Sequence, residues 1–582
     1  MKKWLKRGLY TLITLSILLI FALYFYWVLP FWGMPFNAQR HTQVPLTPAW
    51  ALECWLWEDD INTAEAVLEL LEGYEKHDFP VRTILIDSPW TKHYNDFEVD
   101  EDRYPNPEKF FTDLQDRGYR VVLWMTPFVN SISKDTSMGD DETWYESARE
   151  KGYLAGDDVQ VRWWKGTGGF IDYTNPEAMK WWRALQQPVF DWGIDGWKLD
   201  GAATYFTSKT IGGIPVGYRG TAEGLMTTRG YMDHYYRDEY QHGLTINPEF
   251  ITLSRSQDNQ NRILGHPEGF APLDASPVNW VGDQDHEWAL EKEGIEEALR
   301  DILKSAKMGY NIIGSDVAGY SGGTIPPKLY IRWAQFSTFC GLFLNGGHNE
   351  RAMWKRSEEE LTIIRKFSWL HTELLPYIYT YMVQCHEGGQ PLMRPTDTDY
   401  EYYFGDAFYV APIHTDSDTH TLHLPEGRWR YFFDSEELLE GPLEITREFP
   451  HDEFPVYVRD EAIIPMRVSR SYTGFGDKDS EDALTLVAYP GANSTFTLRR
   501  ENKDDVAIAV INQDGQTRVT LPENDEKFIL RFPHVDSPDT VLWNDPESSA
   551  AITWHYDKAT RTLIVKQTNQ GSGSLTVTHG RF

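Results

Sequence analysis

Residues 191–204 read "DWGIDGWKLDGAAT" and set Lys198 and Asp200 two apart inside an apolar, aromatic run. Side chains alternate along a strand, so Lys198 and Asp200 share one face while Trp197 and Leu199 share the other. Two charges on one face of a core strand are costly unless they pair or serve chemistry. A structural ion pair at a strand end accounts for the fragment taken alone. The two readings part on whether other strand-like runs end the same way.

They do. "VRTILID" ends at Asp87, "YRVVLWMTP" near Thr126, "GGFID" at Asp172 and "DGWKLD" at Asp200. "FITLSRS" ends around Arg255, "PVNWVGD" at Asp283, "YNIIGSD" at Asp316 and "FCGLFLNGGH" at His348. Between them lie runs with apolar residues near helical spacing, such as "TAEAVLELLEGYEKH", "PEKFFTDLQDRG" and "PEAMKWWRALQQPVF". Strand–helix repeats of this kind over 48–385 predict an α/β fold, a (β/α)8 TIM barrel. The polar strand ends then converge on the rim where such barrels hold their active sites. From about residue 386, short runs such as "AFYVAPI", "ALTLVAYP" and "STFTLRR", broken by Gly, Pro, Asn and Asp, predict C-terminal β-sandwich domains over 386–466 and 467–582.

Ahead of the barrel, "MKKWLKRG" carries Lys2, Lys3, Lys6 and Arg7, and no further charge occurs before Arg40. The apolar run 9–29 is long enough to cross a bilayer. Its basic leading flank predicts a cytoplasmic segment 1–8, a transmembrane helix 9–29, a stalk 30–47 and a catalytic domain on the extracytoplasmic side, periplasmic or extracellular. A cleaved signal peptide usually has a shorter apolar core ending in small residues, whereas this run ends in "YFYWVLPFW"; the expectation is a retained signal-anchor.

Composition narrows the function classes. A net charge of -32 over 582 residues argues against nucleic acid and against a broad anionic membrane surface as partner. The three cysteines form no CxxC or Cys/His spacing, and HExxH, Walker and helix-opening GxGxxG motifs are absent, so neither a metal nor a cofactor is expected. The 23 tryptophans suit sugar stacking and ordinary cores alike. Two carboxylates flanking one bond are what glycoside cleavage requires: one attacks or stabilises the anomeric carbon and the other protonates the leaving oxygen. Asp200, beside Lys198, has a cation to keep it ionised. Asp283, in "NWVGDQDHEW" between Trp280 and Trp288, is expected to be pushed up by partial burial against indoles and so to hold a proton. Asp172, in "DYTNPEA", reads as the cap of the next helix.

With these motifs in order, the chain resembles glycoside hydrolase family 31, the retaining α-glycosidases, from about residue 48 to about 465. "GWKLDGA" resembles the family's nucleophile segment, which implies Asp200 as nucleophile, and "WVGD" its acid/base segment, which implies Asp283 as proton donor. "LSRS" resembles the segment whose arginine binds the −1 sugar, here Arg255, and "LID" the one with a hydroxyl-binding aspartate, here Asp87. "GSDVAGY", with Asp316 and Tyr320, matches a further family stretch. Trp164 in "RWWKG" corresponds to an aromatic platform, and His348 to a sugar-binding histidine; Lys198 joins them as a substrate-binding cation. The chain departs from the family pattern in three places. The usual N-terminal β-sandwich does not precede the barrel, "NGGHNE" lacks an arginine just before His348, and the connection "SQDNQNRILGHPEGFAPLDASP" is long. The resemblance implies an exo-acting hydrolase of oligosaccharides or glycosides, α-glucosidase- or α-galactosidase-like. An α-glucan lyase and an inactive carbohydrate-binding membrane protein are the alternatives.

Overall fold

The structure, a computed structural model, describes residues 2–32, 43–136, 142–156, 159–208, 210–211, 214–257, 270–434, 436–522, 525–544, 552–568 and 570–579. Most of the long connection after Arg255 falls outside the described residues.

Eight strands build the central sheet: β1 (Cys54–Glu58), β2 (Val81–Ile86), β3 (Arg120–Met125), β4 (Gly196–Leu199), β5 (Ile251–Arg255), β6 (Val278–Trp280), β7 (Ile313–Gly314) and β8 (Leu344–Gly347). They hydrogen-bond in the order β7-β6-β5-β4-β3-β2-β1-β8. A parallel bridge between Asp316 and Leu344 brings the ring close to closure as a TIM barrel. Register sets the neighbours that matter later: Trp124 pairs with Lys198 across β3 and β4, and Arg255 with Trp280 across β5 and β6.

One predicted barrel strand lies elsewhere. Gly166–Ile171, which ends before Asp172, pairs antiparallel with Phe128–Ser133 in a separate four-stranded sheet that also holds Leu154–Ala155 and Val161–Trp163. Its glycines allow the close pairing; a Cβ on Gly168 would sit 2.4 Å from the Val129 carbonyl oxygen. The place is taken by β1, "CWLWE", in which every residue is buried. A strand covered on both faces shows no alternation, so periodicity does not mark it.

By compactness the chain divides into two units, one of Met1–Pro45, Ile61–Val67 and Ile84–Gly282, the other of Leu46–Asp60, Leu68–Thr83 and Asp283–Phe582. In the first, helix Pro176–Asp191 is capped by Asn175, whose side chain accepts from the Glu177 and Ala178 amides. The cap predicted at Asp172 therefore falls three residues later. Asp172 instead accepts from the Thr174 amide and hydroxyl and, at 2.7 Å, from the Ala222 amide. The N-terminal run forms a helix over Lys2–Leu23, widens over Tyr24–Val28 and ends as Leu29–Trp32; Lys3–Trp32 is long and apolar enough to cross a membrane.

In the second unit, an antiparallel six-stranded sheet over residues 393–459 packs around Tyr409, Leu422, Trp429 and Tyr457. Beyond it, two five-stranded sheets enclose a core that includes Leu486, Ile508, Val519, Leu530 and Leu575. Face-to-face sheets with an apolar filling are a β-sandwich. Cys54, Cys340 and Cys385 are free thiols, and burial pushes Cys54 up to about 12 and Cys385 up to about 11.

Candidate active site

In the first unit, Asp200 follows β4 and is nearly enclosed, at 7% exposure. Its Oδ1 accepts from Arg255 Nε at 3.0 Å, Arg255 Nη2 at 2.9 Å and the Gly201 amide at 2.7 Å. Its Oδ2 accepts from Trp124 Nε1 at 3.0 Å. Burial pushes such a carboxyl up, but the charges of Arg255 and then Lys198, with the Trp124 and Gly201 hydrogen bonds, outweigh it and hold Asp200 below the usual carboxylate range. The group is an anion in a dry setting.

Lys198 plays a different part from the one its spacing suggests. Its Nζ donates to Asp87 Oδ2 at 2.7 Å, and both residues are buried. Asp87 Oδ1 in turn accepts from the Ser88 amide at 2.7 Å. The direct cation partner of Asp200 is thus Arg255, one strand over, and Lys198 acts on Asp200 only through its field. Trp280 lies under both cations, with Lys198 Nζ 5.2 Å and the Arg255 guanidinium 4.9 Å from its ring.

Trp163 and Trp164 separate cleanly. Trp163 is buried, stacked on Phe128 at 4.4 Å and near-parallel to Trp124, and donates to Asn130 Oδ1 at 2.8 Å. Trp164 is 38% exposed, with its ring beside Trp163 and Tyr205. The aromatic in contact with Asp200 is Trp124, which the sequence reading missed. The signal was its register level with Lys198 in "VVLWMTP".

In the second unit, Asp283 follows β6 at a half-buried position. Trp288 packs against the apolar cluster of the six-stranded sheet. Asp316 is fully buried. Tyr320 stacks on Trp57 at 5.3 Å, and its hydroxyl lies 2.8 Å from His348 Nε2. The other ring nitrogen of His348 is 3.0 Å from Asp60 Oδ1, and Asp59 lies 3.5 Å from Nε2. Both nitrogens of His348 are therefore engaged by the chain itself. Arg351, three residues after His348 rather than just before it, is buried and donates to the Val317 and Gly319 carbonyls, which fixes the turn behind Asp316.

The sequence over residues 44–381 matches the description of the glycosyl hydrolases family 31 TIM-barrel domain, and residues 389–464 match the family 31 C-terminal domain. An α-xylosidase of Emericella nidulans is 28% identical over 72% of this chain and 54% of its own length. An α-glucosidase of Bacillus thermoamyloliquefaciens is 25% identical over 82% of this chain and 59% of its own. The chain thus spans little more than half the length of these curated relatives. In fold it is similar to a family 31 dextranase of Flavobacterium johnsoniae complexed with glucose, with a TM-score of 0.78 at 21% identity over 94% of this chain and 74% of that one. The order of its barrel strands, the carboxylates at their ends and the match across more than half its residues make this chain a member of glycoside hydrolase family 31.

Proposed function

We propose that the chain is an exo-acting, retaining α-glycoside hydrolase that removes a terminal α-linked sugar from an oligosaccharide or glycoside. The observation that carries this reading is the lopsided hydrogen bonding of Asp200. Three donors load Oδ1, whereas Oδ2 accepts from Trp124 alone among the described residues. An anion with one lightly loaded oxygen suits a nucleophile. Oδ2 attacks the anomeric carbon while the bond to the leaving oxygen breaks and Asp283 gives that oxygen its proton. Asp283, now a carboxylate, takes a proton from water as the water displaces Asp200. Two inversions give net retention. Asp87 and Lys198, a buried opposite-charge pair, bind sugar hydroxyls, as does Arg255 from its place on Asp200. Trp164 offers an exposed indole face to the ring, and Asp316 and His348 complete the proposed binding set. The curated relatives named above act on α-xylosides and α-glucosides, so those two sugars head the panel of aryl α-glycosides to be tried.

The test separates the two carboxylates. Asp283→Ala is expected to keep activity on substrates with good leaving groups and to lose it on poor ones, because only the latter need a proton. Asp200→Ala is expected to be inactive on both and to form the β-glycosyl azide when azide is added. Equal loss for Asp283→Ala on both substrate types would overturn the acid/base role. A product carrying an anhydro sugar would instead identify a lyase.

We further infer that the N-terminal helix is a retained membrane anchor with the basic flank in the cytoplasm and the barrel outside it. The length and apolarity of Lys3–Trp32 and the Lys/Arg bias of its leading end support this.

A further inference from the structure

The apolar N-terminal helix docks on the first unit through its own irregularity. Pro30 has no amide hydrogen, and ahead of it the helix widens so that the Leu29 amide reaches back to the Tyr24 carbonyl. The Phe25 carbonyl is then left without a helical donor, because Leu29 is committed and the next residue is the proline. The Tyr218 hydroxyl donates to it at 2.7 Å. Just beyond, Pro30 and Phe31 are buried, and a Cβ on Gly217 would lie 2.5 Å from the Pro30 Cβ. The turn Leu29–Trp32 also packs on strand Gly224–Thr227 and helix Thr228–Ile246. A backbone carbonyl freed by proline near lipid needs a donor from the protein, and Tyr218 is that donor.

Tyr218–Thr221 and Gly224–Thr227 form an antiparallel hairpin whose tip is Ala222 and Glu223. Leu225 on this hairpin is 75% exposed, the highest value for a large apolar side chain among the described residues after the N-terminal Trp4. The helix level to which Tyr218 is fastened carries Tyr24, Tyr26 and Trp27, residues of the kind that settle at the headgroup boundary. We propose that the hairpin Tyr218–Thr227 lies in the membrane interface with the Leu225 side chain in lipid, so that helix and hairpin together hold the first unit on the bilayer surface. The inference rests on the reading of the N-terminal helix as a membrane span. The occupant is a phospholipid bilayer because the hairpin continues the surface on which the span ends. Glu223 at the tip keeps the insertion shallow, at the headgroup boundary.

The test uses the full chain in phosphatidylcholine vesicles. Leu225→Cys and Leu15→Cys, each in a Cys385→Ser background, are labelled with an NBD fluorophore; Cys54 and Cys340 are buried. Nitroxide lipids carry the quencher either near the headgroup or deep in the acyl chain. The expected result is loss of the Leu225 signal with the shallow quencher and of the Leu15 signal with the deep one. Quenching at Leu15 but not at Leu225 would overturn the proposal and leave the span intact. A blue-shifted but unquenched Leu225 probe would overturn it too, by placing the residue against another copy of the chain. No quenching at either position would remove the span and the proposal with it. Hydrolysis of a soluble aryl α-glycoside checks folding, and Glu223→Cys at the hairpin tip replaces Leu225→Cys if that variant fails this check.

Discussion

Replacing Arg255 with methionine leaves a shorter, unbranched apolar side chain and removes the one cation bonded to Asp200 among the described residues. Two charge-assisted hydrogen bonds disappear, at 3.0 and 2.9 Å. At about 1.5–3 kcal/mol each, they are worth roughly 3–6 kcal/mol in favour of the anion. Their loss raises the Asp200 carboxyl, because the burial that disfavours its charge keeps fewer opposing groups. The Lys198 field, Trp124 and the Gly201 amide remain, while burial, the largest single influence, stays unopposed by Arg255. The acidic limb of kcat/KM against pH, which reports the nucleophile of the free enzyme, is therefore expected to move to higher pH. The stability consequence has a definite sign. In the native protein Asp200 is held below its unfolded value, so its contribution is present above that value and is lost as pH falls through the folded pKa. In Arg255→Met the folded pKa is raised toward the unfolded one, so this stabilising contribution of the ionised group shrinks. Arg255→Lys, which restores charge without the paired geometry, is expected to return the limb most of the way. Aryl α-glycoside hydrolysis and urea unfolding, each followed across pH, supply both readouts. An unmoved acidic limb in Arg255→Met would refute the reasoning, because Asp200 would then owe its charge to something else.

Lys198→Met leaves the Asp87 carboxylate buried without its partner and is expected to cost about 3–5 kcal/mol in urea unfolding. Adding Asp87→Asn to it should recover part of that stability without restoring turnover. Trp163→Ala is expected to destabilise by about 3–5 kcal/mol, as loss of a buried stacked aromatic does, whereas Trp164→Ala should leave the urea midpoint in place and raise KM. Protease added to spheroplasts should reach the barrel, and N-terminal sequencing of the purified protein should find residues 1–30 retained; a mature start beyond residue 30 would make the helix a signal peptide.

The barrel was legible because its strands end in charge, a pattern that survives in one dimension. Asp87, Asp200, Arg255, Asp316 and His348 all follow or close their strands as the sequence suggests. Partner choice was not legible, because it is set between strands. Lys198 and Asp200 are two apart in sequence, yet the ladder sends Lys198 across to Asp87 and brings Arg255 to Asp200. β1 escaped notice because a fully buried aromatic strand has no period to detect, and Gly166–Ile171 imitated a barrel strand by ending in Asp172. Trp280 and Trp288 are near Asp283 in sequence, but one packs under two cations and the other on a different apolar cluster. Sequence proximity names candidates; packing assigns their duties.

Double displacement through Asp200 is tested most directly by the stereochemistry of the product. Proton NMR of an aryl α-glycoside digest, read before mutarotation sets in, reports the anomer first released. Nucleophilic Asp200 and acid/base Asp283 predict the α-anomer, with the β-anomer appearing only later by mutarotation. The β-anomer as first product would mean a single displacement by water, and Asp200 would not be the nucleophile.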